Sequence, residues 1–342
     1  MNRPWLIPVG GFLGAGKTTL ILSAARILTA RGLKCAAILD DQGSDLVDTA
    51  YASAQGLTSN EVTGGCFCCR FSDLMDKAHQ LRAFAPDVIF IEPVGSCTDL
   101  SATILQPLKH EFANTYRLAP LTIVIDPARA VDLSDPNMAF LFERQCAEAD
   151  LIVFNKSDIH ESPSEHRAIS ALKGDGVSAW LDEILAGTLP VGSKLLEIDY
   201  QKYARAEAAL GWLNWSATVH VEPAVSPASL IGPWLDHLQQ SLSSANAQIA
   251  HLKIFDQTPA SYLKAALISN TGDPSVTGDL TASPEREHSL RLNLRAAIDP
   301  EPLRELFLQA LNLLPGQKSH EHLQCFSPAP PLPQHRYAQM VD

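Results

Sequence analysis

Gly11-Phe12-Leu13-Gly14-Ala15-Gly16-Lys17-Thr18 fits G-x-x-x-x-G-K-[ST] at every position. Glycines let the backbone curl so that successive amides aim at phosphate oxygens. Lys17 brings charge to the β- and γ-phosphates, and Thr18 offers a hydroxyl to magnesium. Gly11, Gly14, Ala15, Gly16 and Thr19 complete the expected phosphate cradle. Downstream, Asn155-Lys156-Ser157-Asp158 fits N-K-x-D. An aspartate in the place of Asp158 accepts two hydrogen bonds from the N1 and N2 edge of guanine, whereas adenine would leave the carboxylate unpaired. The expected nucleotide is GTP, with Asn155, Lys156 and Asp158 as binding residues. A competing reading makes Ser157 or Asp158 the cap of a following helix.

Gly64-Gly65-Cys66-Phe67-Cys68-Cys69 concentrates three of the seven cysteines. Thiolates are soft donors, and such a cluster suits zinc, copper(I) or a related transition ion. The neighbours Cys68 and Cys69 do not easily face one tetrahedral centre, so the expected geometry pairs Cys66 with one of them. Further ligands would come from Asp41, Glu92 or the histidines. Buried inert thiols and a vicinal dithiol redox switch are the alternatives. Cys35, Cys97, Cys146 and Cys325 stand alone and are expected to pack in the core.

These residues need a scaffold, and the first half of the chain supplies its pattern. Apolar runs at residues 5–9, 34–39, 87–91, 121–125 and 151–154 each end in small or polar residues and alternate with helical spacing. That is how an α/β parallel sheet reads, and its strands deliver ligand-binding residues at their carboxyl ends. Pro8 fits poorly, because proline removes a ladder donor and normally marks an edge. The second half reads differently. Strand patterns at 217–221, 248–255 and 262–268 are joined by a run in which Leu290, Leu292 and Leu294 alternate with Arg291, Asn293 and Arg295, a strand with one wet face. Residues 226–244 carry helical spacing interrupted by Gly232-Pro233, which suggests a regular helix only from there, and Pro300 opens a last helix. The expected organisation is a P-loop domain over residues 1–190 with helices on both sheet faces, a connector at 191–216, a smaller α+β domain at 217–327 and a Pro-rich extended tail at 328–342.

Twenty-six basic against thirty-eight acidic side chains leave a formal charge of −12, which repels phosphate backbones and anionic lipid. Nucleic acid and membrane are therefore not expected partners. No apolar stretch approaches the ~18 residues of a membrane span. No export signal is legible, so the cytoplasm is expected, where seven cysteines point to metal or redox chemistry rather than to disulfides.

In order, the phosphate loop, Cys66-Phe67-Cys68-Cys69, Glu92-Pro93-Val94-Gly95 and Asn155 to Asp158 resemble the CobW-type metallochaperone GTPases, relatives of UreG and HypB. The resemblance implies that the cysteine loop binds a transition metal. It also makes Glu92 to Gly95 the second switch, which senses magnesium and the γ-phosphate. Thr18 and Glu92 are then magnesium ligands, and Lys17, Thr18 and Glu92 the catalytic set. Asp40-Asp41-Gln42-Gly43 matches the first switch, although the family more often has asparagine then glutamate, with an aromatic residue third. Asp41 is a metal-ligand candidate on that basis. The long histidine-rich insertion of many zinc-delivering members is missing from the sequence. His251, and the H-x-H of His320 and His322 near Cys325, are either further ligands or surface and capping residues.

The implied function is a GTPase that couples nucleotide state to binding and delivery of zinc, cobalt or a similar ion. Its partner would be a client metalloprotein or cofactor-dependent enzyme, with a homodimer as an admissible assembly. No catalytic glutamine or arginine is identifiable, so slow intrinsic hydrolysis is expected. Rival readings are an escort of a cobalamin-dependent or other metalloenzyme, a small-molecule kinase, and a non-catalytic metal store or sensor.

Overall fold

The computed structural model describes residues 3–131, 134–162 and 167–341. Met1, Asn2 and Asp342, the last at the end of the expected tail, lie outside them. The first part of the chain runs β1 (Trp5–Gly10), α1 (Lys17–Ala30), β2 (Cys35–Asp41), α2 (Val47–Ala54), β3 (Thr58–Thr63), α3 (Phe71–Leu81) and β4 (Val88–Glu92). A π-helical turn (Ser101–Leu105), α4 (Gln106–Phe112), β5 (Arg117–Leu118), β6 (Thr122–Ile125), α5 (Pro127–Val131) and α6 (Pro136–Glu148) follow, then β7 (Leu151–Phe154), β8 (Arg167–Ala168), α7 (Val177–Leu185) and α8 (Tyr200–Ala208). The second part runs β9 (Gly211–Val225), α9 (Pro227–Ser244), β10 (Gln248–Gln257), β11 (Tyr262–Leu267), β12 (Ser275–Gly278), β13 (Glu285–Ala297), α10 (Pro300–Leu311) and β14 (Gln317–Phe326). Among the described residues, no helix is long and apolar enough to cross a membrane.

Two compact units emerge: residues 1–42, 52–206 and 330–342 form one, and residues 43–51 and 207–329 the other. The first holds a parallel sheet in the order β3-β2-β4-β1-β6-β7-β8, with β5 beside β1. It is a P-loop NTPase fold with helices on both faces. β1 and β4 are buried almost end to end, as strands covered on both sides must be. Pro8 thus lies in a central strand, contrary to an edge assignment. Along one side β1 pairs with β5 at Trp5 and Leu6 and with β6 only from Val9, so the proline falls in the gap between partners. β3, a half-exposed and polar strand at the sheet edge, carries no apolar run that would announce it.

The second unit is a six-stranded antiparallel sheet in the order β12-β11-β10-β13-β9-β14. α9 and α10 cover one face, where Trp215, Trp234 and Phe307 meet with ring centroids 5.5 to 6.0 Å apart. α9 starts at Pro227 rather than at Pro233. Ser226 caps it by accepting the Ser229 N–H, and the buried stripe of Leu230, Ile231, Trp234, Leu235 and Leu238 outweighs the roughly 3 kcal/mol cost of an internal proline.

The face expected to be wet is covered instead. Residues 43–51 lie on it, and Asn293 and Arg295 are 3% and 0% exposed. Asn214 donates to Ser44 O at 3.0 Å and the Val47 N–H donates to Asn293 Oδ1 at 2.8 Å. Lys253 and Lys264 reach the Asp48 carboxylate at 2.6 and 3.3 Å, and Tyr51 packs among Phe255, Tyr262 and Lys264. The two ammonium groups hold Asp48 well below the usual carboxylate range despite its burial. Asp48→Ala should therefore cost about 3 kcal/mol, because it strands two largely buried ammonium groups. In the parent, the same bond's stability is present above the ordinary carboxylate pKa of about 4 and is lost as pH falls below it. Urea unfolding at pH 7 and in mild acid checks both statements, and an unchanged midpoint in Asp48→Ala would contradict them.

Candidate functional site

A parallel sheet puts the carboxyl ends of β1, β2, β4 and β7 at one edge, and each is followed by a motif segment. The loop after β1 needs its glycines. Gly11 and Gly16 have φ of +136° and +96°, and a Cβ on them would come within 2.3 Å of Val124 O and Asn155 Nδ2 respectively. Lys17, Thr18 and Glu92 are all buried. Lys17 Nζ donates to Gly11 O at 3.0 Å and lies 3.9 Å from Glu92 Oε1, which also accepts the Thr18 hydroxyl at 3.0 Å. A hydroxyl and a carboxylate side by side are the hard oxygen donors that magnesium takes.

Asn155 acts first as a strut. Its Nδ2 donates to Ala15 O at 2.8 Å and its Oδ1 accepts the Ala171 N–H at 2.9 Å, which braces the phosphate loop from behind. Lys156 has φ +62° and pairs with the buried Asp126 at 2.5 Å. Asp126, at the end of β6, carried no motif in the sequence. Asp158 is half-buried. The helix-cap alternative for Ser157 and Asp158 fails, because a turn occupies that position and, among the described residues, the next helix begins at Val177.

The segment after Glu92 is held from α6. Gln145 donates to Gly95 O and Cys97 O at 3.0 and 2.8 Å. Glu148 accepts from the Thr98 hydroxyl and the Ser101 N–H, both at 3.1 Å, and burial pushes its carboxyl up to about 8. Gly95 lies against the phosphate loop, where a Cβ would come 2.7 Å from Leu13 Cδ2.

The cysteine loop corrects the expected geometry. Cys69 and Arg70 N–H both donate to Cys66 O, and this tight turn brings all three sulfurs together. Cys66–Cys68 is 2.8 Å, Cys66–Cys69 3.5 Å and Cys68–Cys69 3.6 Å. Tetrahedral bonds of about 2.3 Å put ligand sulfurs about 3.8 Å apart, so the cluster is near the size of one ion's ligand set. Among the described residues the group within mutual reach comprises these three cysteines, and neither Asp41, Glu92 nor a histidine joins it. Asp40 holds the loop instead, its Oδ2 accepting the Phe67 N–H at 2.6 Å. In the second unit, His322 pairs with Asp45 at 2.8 Å, His251 is buried on β10, and His320 is an exposed residue of β14 with φ +51°.

Cys97, expected to be an isolated core thiol, also reaches the cluster. Hydrogen bonds from Cys68, Cys69 and Cys97 favour a Cys66 thiolate and hold it well below the usual thiol range. The same contacts push Cys68 well up and Cys69 up to about 11. One proton leaves the cluster readily and the rest do not. Metal-free protein should accordingly show one thiolate forming well below pH 8.5, followed by absorbance or alkylation rate against pH. Cys68→Ala should raise that first transition by removing its largest stabilising donor. A first transition at the ordinary cysteine value in the parent would contradict the geometry.

Residues 6–175 match the CobW/HypB/UreG nucleotide-binding domain. The chain is 32% identical over 178 residues to the zinc chaperone YeiR of Escherichia coli, covering 49% of this chain and 50% of YeiR. It is 28% identical over 251 residues to the zinc chaperone CobW of Pseudomonas aeruginosa, covering 63% and 61%. It is 30% identical over 167 residues to the zinc chaperone YjiA of Escherichia coli, covering 46% and 51%. The chain thus spans about half to three-fifths of the length of these relatives. Residues 6–175, with their phosphate loop and cysteine turn on one sheet edge, are thus a nucleotide-binding domain of the CobW/HypB/UreG family.

Proposed function

We propose that this chain is a GTP-hydrolysing metallochaperone that takes up a thiophilic divalent ion, zinc first and cobalt as the alternative, and passes it to a client metalloprotein. The observation that carries the reading is the position of the three-sulfur cluster. Its loop is hydrogen-bonded to Asp40 at the end of β2, and β2 lies in register beside β4, whose last residue, Glu92, bonds Thr18 in the phosphate loop. Three converging thiols are the soft donors that a thiophilic ion takes. The relatives named as zinc chaperones favour zinc.

In this reading Asp158 selects guanine and the loop amides hold the phosphates. Magnesium, when bound at Thr18 and Glu92, supplies charge neutralisation on the phosphate oxygens. Lys17 stabilises negative charge on the transferring group, and Gly95 feels the γ-phosphate through its contact with the phosphate loop. Turnover without a client is slow because neither motif supplies a glutamine or arginine finger. A small-molecule kinase would need neither the guanine-reading Asp158 nor a sulfur cluster tied to the switch strands.

Lys17→Ala should lower GTP hydrolysis by roughly 10²-fold or more with the fold intact. Asp158→Asn should shift preference from GTP toward xanthosine triphosphate, and the double variant Cys66→Ser, Cys68→Ser should lose about one zinc per chain while binding GTP, in the absence of metal, as the metal-free parent does. Nucleotide competition and metal analysis of the purified variants check these outcomes. Equal affinity for ATP and GTP in the parent, or full zinc retention in the double variant, would contradict the reading.

A further inference from the structure

The Pro-rich segment expected to trail from the second half of the chain returns to the first unit. It has no regular secondary structure, yet it is bonded along its length. The Leu332 N–H donates to Cys69 Sγ at 3.1 Å and the Gln334 N–H donates to Cys68 O at 2.9 Å. The Gln334 side chain accepts the Ser72 N–H at 2.8 Å and donates to the Ser72 hydroxyl at 3.1 Å, at the first turn of α3. His335 stands edge-on to Phe71, with centroids 5.1 Å apart. Beyond this grip on the cysteine loop comes an anchor. Arg336 Nε donates to Asp99 Oδ2 at 2.8 Å, and the Tyr337 N–H donates to Ala102 O at 3.0 Å.

We propose that residues 330–341 are a strap that positions the cysteine loop and governs access to its sulfurs. This role rests on the metal-carrying reading above. Cys66 and Cys68 are buried, and Cys69 is the member of the cluster with partial exposure. It is also the sulfur the strap touches, so an acceptor thiol or a chelator approaching from solvent meets Leu332 first. Proline supports the geometry: Pro328, Pro330, Pro331 and Pro333 hold the run extended, so little conformational freedom is lost when it lies down.

The anchor links the strap to the nucleotide side. Asp99 is 1% exposed and follows Gly95 by four residues, on the segment that Gln145 and Glu148 brace. Its Oδ2 also accepts the Tyr200 hydroxyl at 2.6 Å. A buried carboxylate holds its cationic partner firmly, because release would leave it without its countercharge. Movement of the segment after Glu92 would carry Asp99, and with it the strap, relative to the cysteine turn. Cargo access would then follow the second switch without any direct contact between nucleotide and metal.

The test uses the full chain, first without metal. Reaction of the cysteine cluster with 4,4′-dithiodipyridine is timed in the parent, Arg336→Ala, Arg336→Lys and Leu332→Pro, and the modified cysteine is identified by mass spectrometry. Arg336→Ala and Leu332→Pro should expose Cys69 roughly tenfold faster, the scale expected when a local closing equilibrium is lost, while Arg336→Lys stays near the parent. In zinc-loaded protein, release to a competing chelator should accelerate in the same order. Circular dichroism and GDP binding establish that each variant is folded. If Arg336→Ala is not, Leu332→Pro decides, since it deletes one N–H from an exposed segment. Parent-like thiol rates in folded variants would overturn the strap. A parent that takes up no zinc, with thiol rates raised as expected, would overturn the metal-carrying reading and still support the strap.

Discussion

A buried carboxylate at the end of β2 holds the two chemistries together. Asp40 is 7% exposed, and its Oδ2 takes the Phe67 N–H between Cys66 and Cys68. Burial and the facing Cys66 thiolate push its carboxyl well above the usual range, so Asp40 and Cys66 compete to carry one negative charge. A divalent ion at the sulfurs removes that competition, because its charge favours the ionised form of both. In the proposed function, the residue that holds the loop would then also register the charge of the cargo. From Asp40 the path to the phosphates is short. Leu39 pairs with Glu92 across the ladder, and Glu92 bonds Thr18.

The chain leaves this edge at a meaningful point. Asp40 to Gln42 belong to the parallel-sheet unit, whereas residues 43–51 fold with the antiparallel sheet, pinned there through Asp48 and Tyr51. A segment expected to respond to nucleotide therefore has one end on β2 and the other in the second unit. In the second unit residues 43–51 are fixed by the Asp48 ion pairs and the packing of Tyr51.

What could be read beforehand follows from the range of the interactions. The phosphate loop, N-K-x-D and the cysteine cluster are local patterns, and the buried parallel strands announce themselves by continuous apolar runs. Roles set by distant partners were not legible. Cys97 looks like a core thiol until the turn at Cys66 is folded beside it, and Asp126 has no motif until Lys156 bends back in a left-handed conformation to meet it. Arg291, Asn293 and Arg295 alternate as on a wet strand, but Asn293 meets Val47 from more than two hundred positions away and Arg295 stacks on Trp212. The convergence of Cys68 and Cys69 was missed for a local reason. Extended neighbours point apart, and a tight turn, with two amides donating to Cys66 O, does not leave them extended.

The central claim is that nucleotide state and cargo affinity are coupled through Asp40 and Glu92. A zinc titration of the GTP-bound, GDP-bound and nucleotide-free protein against a competing chelator tests it most directly, with magnesium held constant. The account predicts the tightest zinc binding in one nucleotide state, with a ratio between states of about fivefold or more, and an equal factor when GTP affinity is measured with and without zinc. Identical zinc affinities in all three forms would contradict it, leaving a GTPase and a metal site that share a sheet edge without sharing a free energy.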